Sequence, residues 1–258
     1  MTHGPEALGG DMEFEGKTVL ISGGGSGVGA DMARAFAAKG ATVWIGGRRA
    51  GKLDTVAASA PGIRPHVLDV TDEASVVGFF DAAGKADIVI ANAGIVDSNP
   101  LAKVDAEAWT RMIATNLTGV FLTYREAARR MTGGWGRILS VASIAGVKGL
   151  AYAAHYAAAK HGVVGLTRSL ALELAPKGVT VNAICPGYLD TDMTSAAVEG
   201  ISARSGRPIE DAQTAVTSLN PMKRLIRPDE VTATALFLAS DGASSVNGQA
   251  VVISGGDP

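Results

Sequence analysis

The chain has 258 residues, of which 47% are hydrophobic and 19% charged, and its 23 basic and 25 acidic residues give a formal net charge of −2. This balance suits one large α/β domain, argues against a nucleic-acid partner, and leaves no apolar run long enough to span a membrane. The single cysteine excludes an internal disulfide, and the histidines lack metal-ligand spacing, so no metal site is predicted.

The N-terminus, MTHGPEALGGDMEFEGK, carries acidic residues and glycines where a signal peptide has a basic start and an apolar run. We therefore expect a soluble, cytoplasmic protein in which residues 1–14 form a flexible extension. Residues 15–258 are expected to be a single domain, because no linker or internal repeat interrupts them.

Short segments rich in β-branched residues alternate with longer, alanine-rich segments. Several of the short segments are apolar without alternation, as in strands that are buried on both faces. Strands are predicted at 17–22, 41–47, 64–70, 87–94, 136–143, 179–187 and 248–254. Helices are predicted over 28–40, from Asp105 toward Met131, from about 153 to 175, and after Pro228. This order indicates an α/β fold, a single-domain Rossmann-type doubly wound parallel sheet with helices on both faces.

Residues 190–227 break the alternation of strands and helices. They contain no strand pattern, and polar and small residues surround the segments SGRP and NP. A connection of this length in a compact domain is commonly a lid or a binding loop. We predict that it is the substrate loop.

The first predicted strand runs into a glycine-rich turn, SGGGSGVG, at residues 22–29. Its glycines allow a tight turn and a close approach to a phosphate, and the following helix points its N-terminal N–H groups at that phosphate. Between a strand and a helix, the turn indicates a dinucleotide site, with a simple strand–helix connection as the alternative. The predicted contacts are Ser22, Gly23, Ser26, Gly27, Val28 and Gly29.

The end of the second predicted strand distinguishes the two nicotinamide dinucleotides. An acidic residue there would bind the adenosine ribose of NAD(H) and would repel a 2′-phosphate. The chain instead has Gly47 followed by Arg48 and Arg49, and a guanidinium binds phosphate through paired, charge-assisted hydrogen bonds. We predict NADP(H) over NAD(H), with two solvated arginines at a helix start as the alternative interpretation.

Two further strand ends would contribute to the same site. Asp69, followed by Val70, closes the third predicted strand and is placed either to accept a hydrogen bond from adenine or to cap the next helix. Asn92, Ala93 and Gly94 end the fourth predicted strand, where small residues leave space for a cofactor. Open α/β sheets bind ligands at the carboxyl ends of their strands, where all of these residues lie.

The segment AHYAAAKHG places Tyr156 and Lys160 four residues apart, so that they are neighbours on one face of a helix. A free tyrosine has a pKa near 10, and an ammonium beside it, together with the positive charge of an oxidised nicotinamide, would lower that pKa toward the range useful in catalysis. The small residues at 157–159 would give a cofactor and a substrate access to this face. The pair is predicted to be an acid–base device, and a lysine that covers an exposed ring is the alternative.

An ordered set of motifs runs through the chain: SGGGSGVG, ANAG (91–94), TNLTGVF (115–121), SVASIAG (140–146), YAAAK (156–160) and CPGYLDT (185–191). This set resembles the compact, single-domain branch of the short-chain dehydrogenase/reductase family. The resemblance implies a catalytic group of Asn116, Ser143, Tyr156 and Lys160. In this group Ser143 orients the substrate oxygen, Asn116 holds a water linked to Lys160, and Lys160 also bonds the nicotinamide ribose.

The same resemblance extends the cofactor site to Pro186, Gly187 and Thr191, on the nicotinamide side. It implies a small-molecule carbonyl or alcohol substrate and a homo-tetramer formed through the long fourth and fifth helices and the C-terminal strand. Ala91 departs from the family pattern, which usually has asparagine at that position.

The helix–strand core is most similar to 3-oxoacyl thioester and polyketide ketoreductases, which implies an NADP-dependent ketoreductase. An NAD-dependent 3-hydroxyacyl-CoA or hydroxybutyrate dehydrogenase is the first alternative, and a non-catalytic, cofactor-sensing protein is the second. Leu150, Tyr152 and Tyr188 are predicted to shape the substrate pocket, together with Ser143 and the loop at 190–227.

Overall fold

A computed structural model describes residues 13–257. Its strands form one parallel sheet in the order β3-β2-β1-β4-β5-β6-β7. Their bounds are β1 Thr18–Ser22, β2 Thr42–Gly47, β3 Ile63–Val67, β4 Ile88–Ala91, β5 Gly136–Val141, β6 Val179–Pro186 and β7 Ala250–Ile253. The strand order reverses between β1 and β4, and ligands bind open α/β sheets at the carboxyl side of such a switch point.

The helices cover both faces of the sheet. They are α1 Gly27–Ala38, α2 Ala50–Ala57, α3 Glu73–Ala83, α4 Ala106–Ile113, α5 Gly119–Arg130, α6 Ala154–Leu174, α7 Asp192–Ser205, α8 Ile209–Ser218 and α9 Pro228–Ala239. None of the helices in the described part of the chain is long and apolar enough to cross a membrane.

Successive residues of the central strands enter two separate cores. Val19 and Ile21 of β1 pack with α1, α2 and α9, whereas Leu20 between them packs with α3, α5 and α6. Cys185 is fully buried in the second of these cores. A strand that is buried on both faces has no polar side, which explains its unbroken apolar sequence. The predicted fold class is confirmed.

Three predicted boundaries need correction. Residues 1–12 lie outside the described residues, but Phe14, which the prediction assigned to the N-terminal extension, is only 2% exposed. Its ring packs against Phe36 at 4.9 Å between centroids, and its N–H bonds the Lys39 carbonyl at 2.9 Å. The third strand, predicted over 64–70, ends at Val67, and the fourth, predicted over 87–94, ends at Ala91.

The helix predicted from Asp105 toward Met131 begins as expected, because the Asp105 carboxylate accepts a hydrogen bond from the Ala108 N–H at 2.7 Å. It is not one regular helix, however. A π-helical turn over Ala114–Thr118 separates α4 from α5. Such bulges are frequent at functional sites.

The predicted substrate loop at 190–227 contains two helices, α7 and α8. Their contact is a small apolar cluster of Val198, Ala212 and Val216. The segment starts and ends at neighbouring points, since Leu189 forms a parallel bridge with Ile226. It is therefore a helical segment, here called the lid, whose two ends meet just beyond the end of β6.

Candidate active site

A groove of about 470 Å³ runs along the carboxyl ends of the strands. Four segments line it: the glycine-rich turn after β1, the residues that follow β2, the residues that follow β4, and the start of the lid. The predicted catalytic residues Asn116, Ser143, Tyr156 and Lys160 also line it. Residues predicted from six separate motifs thus meet in one cavity.

The glycine-rich turn leaves no space for side chains where it passes the end of β4. Gly23 has a φ of +70°, and a Cβ there would lie 2.8 Å from the Cα of Ala93. A Cβ on Gly29 would lie 2.3 Å from the Gly23 carbonyl oxygen. Helix α1 begins within this segment, at Gly27, and no side chain caps its first N–H groups at Ser26. Uncapped N–H groups facing an open groove fit a phosphate group.

Ser22 supports this turn from behind. Its side-chain oxygen accepts hydrogen bonds from the N–H groups of Asn92 and Ala93, each at 3.1 Å. The Asn92 amide nitrogen donates in return to the carbonyls of Ser22 and Gly23, each at 3.1 Å. Ser22 is only 3% exposed and does not line the groove. This predicted cofactor contact therefore lies behind the residues that form the groove.

Basic side chains surround one end of the groove. Arg48 and Arg49 are exposed beyond the end of β2, and Lys52 of α2 lies four residues after Arg48. The Lys52 ammonium lies 3.7 Å from the carboxylate of Asp192, at the start of the lid. Lys52 is a groove residue that the sequence did not single out, and its place in the first turn of α2, directly after Arg48 and Arg49, is the signal that could have identified it.

Asp69 lies at the same end of the groove, and its carboxylate accepts hydrogen bonds from the N–H and the hydroxyl of Thr71, at 2.9 and 2.7 Å. These bonds, with a smaller contribution from the charge of Arg48, hold the pKa of Asp69 below its ordinary value. The alternative that Asp69 caps α3 is wrong, since Asp72 accepts the capping bond from the Ala74 N–H at 3.0 Å.

Tyr156 and Lys160 lie in the first two turns of α6, opposite Ser143 at the end of β5. The Lys160 side chain is 4% exposed overall, and its ammonium donates a hydrogen bond to the Val141 carbonyl at 2.9 Å. The same nitrogen lies 5.6 Å from the centre of the Tyr156 ring. The Ser143 oxygen accepts a bond from the Ala145 N–H at 3.1 Å, which fixes its position at the start of a short 3₁₀ turn.

Burial controls the acidity of both groups. It raises the pKa of the Tyr156 phenol to about 12, although the Ser143 hydroxyl opposes part of this change. Burial also lowers the pKa of the Lys160 ammonium to about 8. In the chain without a cofactor, desolvation of the phenolate is the largest influence on the pKa of Tyr156, and the Lys160 ammonium is directed toward the Val141 carbonyl. The lowered tyrosine pKa expected from Lys160 together with an oxidised nicotinamide stays a prediction.

Asn116 lies in the π-helical turn between α4 and α5 and is fully buried. Its side-chain oxygen accepts a bond from the Ile95 N–H at 3.1 Å, and its amide nitrogen donates to the Ile95 carbonyl at 2.9 Å. A Cβ on Gly94 would lie 2.7 Å from that oxygen and 3.8 Å from the Lys160 nitrogen. Asn116 therefore fixes the segment after β4 beside Lys160, and its role in holding a water stays a prediction.

The predicted substrate residues separate into two groups. Leu150 and Tyr188 line the groove near Tyr156, whereas Tyr152 is 65% exposed, has a φ of +63° and does not line it. The lid adds Thr194 and Ala197, which the sequence analysis did not name. Thr191 lies over the glycine-rich turn, with its methyl carbon 3.4 Å from where a Cβ on Gly27 would be.

This arrangement agrees with known proteins along nearly the whole chain. A family model described as enoyl-(acyl carrier protein) reductase matches residues 23–257. The cis-4-hydroxycyclohexanecarboxylate dehydrogenase of Sinomonas cyclohexanicum is 40% identical over 253 residues, covering 94% of this chain and 97% of the relative. The D-beta-hydroxybutyrate dehydrogenase of Cupriavidus necator is 39% identical over 254 residues, covering 94% and 98%.

Among solved structures, an actinorhodin polyketide ketoreductase variant with NADPH superposes with a TM-score of 0.86 at 34% identity, covering 93% of this chain and 97% of that one. The matches extend over the glycine-rich turn, the Tyr–Lys pair and the lid, which are the parts that form the groove. The chain therefore belongs to the short-chain dehydrogenase/reductase family and is an oxidoreductase with a nicotinamide cofactor site.

Proposed function

We propose that the protein is an NADP(H)-dependent ketoreductase, which reduces a ketone, including one of the 3-oxoacyl type, to a secondary alcohol or runs the reverse reaction. The observation that carries the cofactor assignment is the basic end of the groove. Gly47 ends β2 without a carboxylate, and Arg48, Arg49 and Lys52 surround the space beyond it. Three cations at this position would favour a dinucleotide that carries an additional phosphate.

The chain's own residues would hold the substrate and supply a proton. When bound, the reduced nicotinamide supplies the hydride that adds to the carbonyl carbon. Tyr156 would donate its phenolic proton to the carbonyl oxygen, and with its pKa at about 12 it is protonated throughout the physiological range. The Ser143 hydroxyl would donate a hydrogen bond to the same oxygen and so stabilise the charge that develops there.

Lys160 would favour the phenolate that remains after proton transfer. Its ammonium is on the same helix face as the ring, and a cation 5.6 Å from the ring centre stabilises a negative charge on the ring system in a buried site. Reprotonation of Tyr156 from solvent then completes the cycle, so that one hydride and one proton are added to each ketone.

An NAD-dependent dehydrogenase that oxidises a 3-hydroxy acid is the second candidate. The 39% identity to a D-beta-hydroxybutyrate dehydrogenase favours it. A cofactor-sensing protein without turnover is the third, and the presence of both Tyr156 and Lys160 opposes it. Steady-state rates with NADPH and NADH on acetoacetyl-CoA, acetoacetate and 4-oxocyclohexanecarboxylate separate all three candidates.

The cofactor assignment is tested by Arg48→Ala. Loss of a charge-assisted contact to phosphate costs about 1.5–3 kcal/mol, so we expect KM for NADPH to rise roughly 10–100-fold while KM for NADH changes less than about twofold. Lys177→Ala removes the same charge from the exposed end of α6 and is the matched control. An equal rise for both cofactors would defeat the assignment.

The homo-tetramer and the cytoplasmic location stay predictions. Exposed apolar side chains on the outer sides of α4, α5 and α6 support an assembly through these helices. Trp109 is 44% exposed, Phe121 42% and Leu172 79%. Light scattering coupled to size-exclusion chromatography tests the tetramer, and the double variant Phe121→Glu, Leu172→Glu should shift the mass toward smaller species.

A further inference from the structure

The residues that follow β7 lie beside the active site. Residues 254–257, here called the C-terminal strap, continue past the end of β6. The Gly187 N–H bonds the Ile253 carbonyl at 2.9 Å, and a Cβ on Gly187 would lie 3.3 Å from the Cα of Ser254. Gly255 and Gly256 then take φ values of +65° and +96°, which turn the chain sharply.

The strap is tied to the turn that carries Ser143. The Asp257 carboxylate forms a salt bridge and a hydrogen bond with the Lys148 ammonium, and these side chains are only 17% and 33% exposed. The Ser254 hydroxyl also donates to the Asp257 carbonyl. Lys148 comes two residues after the 3₁₀ turn Ile144–Gly146 and is bound to it, since its N–H bonds the Ile144 carbonyl at 3.0 Å. The strap, through Asp257, therefore holds the turn that begins at Ser143.

The strap also contacts the end of the lid. Gly255 lies against Asn220, so closely that a Cβ would be 2.2 Å from the asparagine side-chain oxygen. Asn220 is 4% exposed and organises the turn after α8, accepting from the Met222 N–H and donating to the Arg224 carbonyl, each at 2.8 Å. Movement of the strap would therefore be transmitted to the segment in which the lid returns to β6.

Tyr188 lies between these two contacts. It follows Gly187, lines the groove, and bonds the Ile226 N–H through its carbonyl at 2.9 Å. The charge of Asp257 is near enough to contribute, after burial, to a raised pKa of the Tyr188 phenol. The strap thus touches three segments around the substrate end of the groove and none at the basic end, among the contacts of the described residues.

We propose that the C-terminal strap is a brace for the substrate pocket, with Lys148 and Asp257 as positioning residues that set the relative placement of Ser143, Tyr188 and the lid. This proposal rests on the proposed ketoreductase function. An ion pair that is mostly shielded from water holds its geometry more firmly than an exposed one, and loss of one partner leaves the other without compensation. Loosening this wall should weaken ketone binding and leave cofactor binding intact.

The test compares Lys148→Met and Asp257→Asn with the charge-exchanged double variant Lys148→Asp, Asp257→Lys. For the ketone of the panel that is turned over fastest, we expect each single variant to raise KM at least about fivefold, with kcat and KM for NADPH within about twofold of the parent. The double variant should return KM for the ketone to within about twofold of the parent, which would assign the effect to the ion pair itself. A role in stability alone would lower the active fraction and hence the apparent kcat, and would leave KM for the ketone unchanged.

Asp81→Asn is the matched control, because it removes a carboxylate from the ion pair with Arg130 near the C-terminal ends of α3 and α5, and neither residue lines the groove. It should leave KM for the ketone unchanged. Unaltered KM in both single variants, or a double variant that remains as impaired as the single variants, would overturn the proposal.

Hydrogen exchange gives a readout that is independent of turnover. In Asp257→Asn, amide exchange should accelerate in residues 144–150 and 219–226 and stay unchanged in α1. If the parent protein reduces no ketone, the proposed function fails while hydrogen exchange still decides whether the strap braces these segments. Unchanged exchange in both segments would show that the strap does not act as a brace.

Discussion

The buried ammonium of Lys160 should destabilise the folded protein at neutral pH, and Lys160→Met should therefore make the protein more stable while it removes activity. Burial lowers the pKa of this group from 10.5 to about 8. By linkage, that difference lowers the free energy of unfolding by roughly 3.3 kcal/mol at pH 7. At this pH the ammonium is charged in both states, but water solvates it only in the unfolded chain. Lys160 also donates to the Val141 carbonyl at 2.9 Å, and the loss of that bond costs about 1 kcal/mol. We therefore expect the free energy of unfolding of Lys160→Met to exceed that of the parent by about 2 kcal/mol at pH 7.

The stability difference between Lys160→Met and the parent should shrink as the pH rises. Between the folded pKa of about 8 and the unfolded value of 10.5, the unfolded chain binds a proton that the folded protein has released, so the parent gains stability as pH rises. Methionine has no proton to release, and the advantage of the variant should fall to near zero at about pH 10. Other titrating groups are common to both proteins and cancel in the difference.

Urea unfolding at pH 7 and pH 10, at one protomer concentration, measures this difference directly. Lys177→Met, at an exposed position after α6, is the control and should show no such trend. A variant that is less stable than the parent at pH 7, or an advantage that does not change with pH, would refute the account of Lys160 as a desolvated cation.

Two further variants test the backbone around the site. Gly29→Ala should weaken cofactor binding at least about tenfold, because its Cβ would overlap the Gly23 carbonyl oxygen at 2.3 Å. Dinucleotide titration measures this, and Gly78→Ala, which has open space around it, is the control. Asn116→Ala should lower the free energy of unfolding by about 2–4 kcal/mol, because the N–H and the carbonyl of Ile95 lose their partners in the interior. Urea unfolding measures this, and a loss below about 1 kcal/mol would contradict the structural role given to Asn116.

The parts of the fold that the sequence predicted well are those with dense local signals. Strands such as β1 and β6 are continuous apolar segments, and helices such as α9 begin at a proline after a polar residue. The lid was not predicted as helical, because its two helices share only the small cluster of Val198, Ala212 and Val216 and so carry little apolar periodicity. Phe14 was assigned to the extension because its acidic and glycine-rich neighbours conceal a single core side chain.

The identities of the site residues were easier to predict than their energetics. Motif spacing brought Tyr156, Lys160 and Ser143 together, since all three follow from the ends of β5 and the start of α6. The raised pKa of Tyr156 in the chain without a cofactor could not be predicted, because it comes mainly from burial, with a contribution from Tyr188, and the motif does not encode either. The contact between Asp257 and Lys148 joins residues 109 positions apart and had no local signal in the sequence.

The central claim is that the Tyr156 phenol gives its proton to the ketone. Tyr156→Phe removes that proton and leaves the ring, and general-acid catalysis is worth about 10²–10⁴-fold. We predict that kcat/KM for ketone reduction falls at least about 100-fold while the dissociation constant for NADPH changes less than about threefold. Ketone reduction within about tenfold of the parent rate, with the cofactor still bound, would contradict the account.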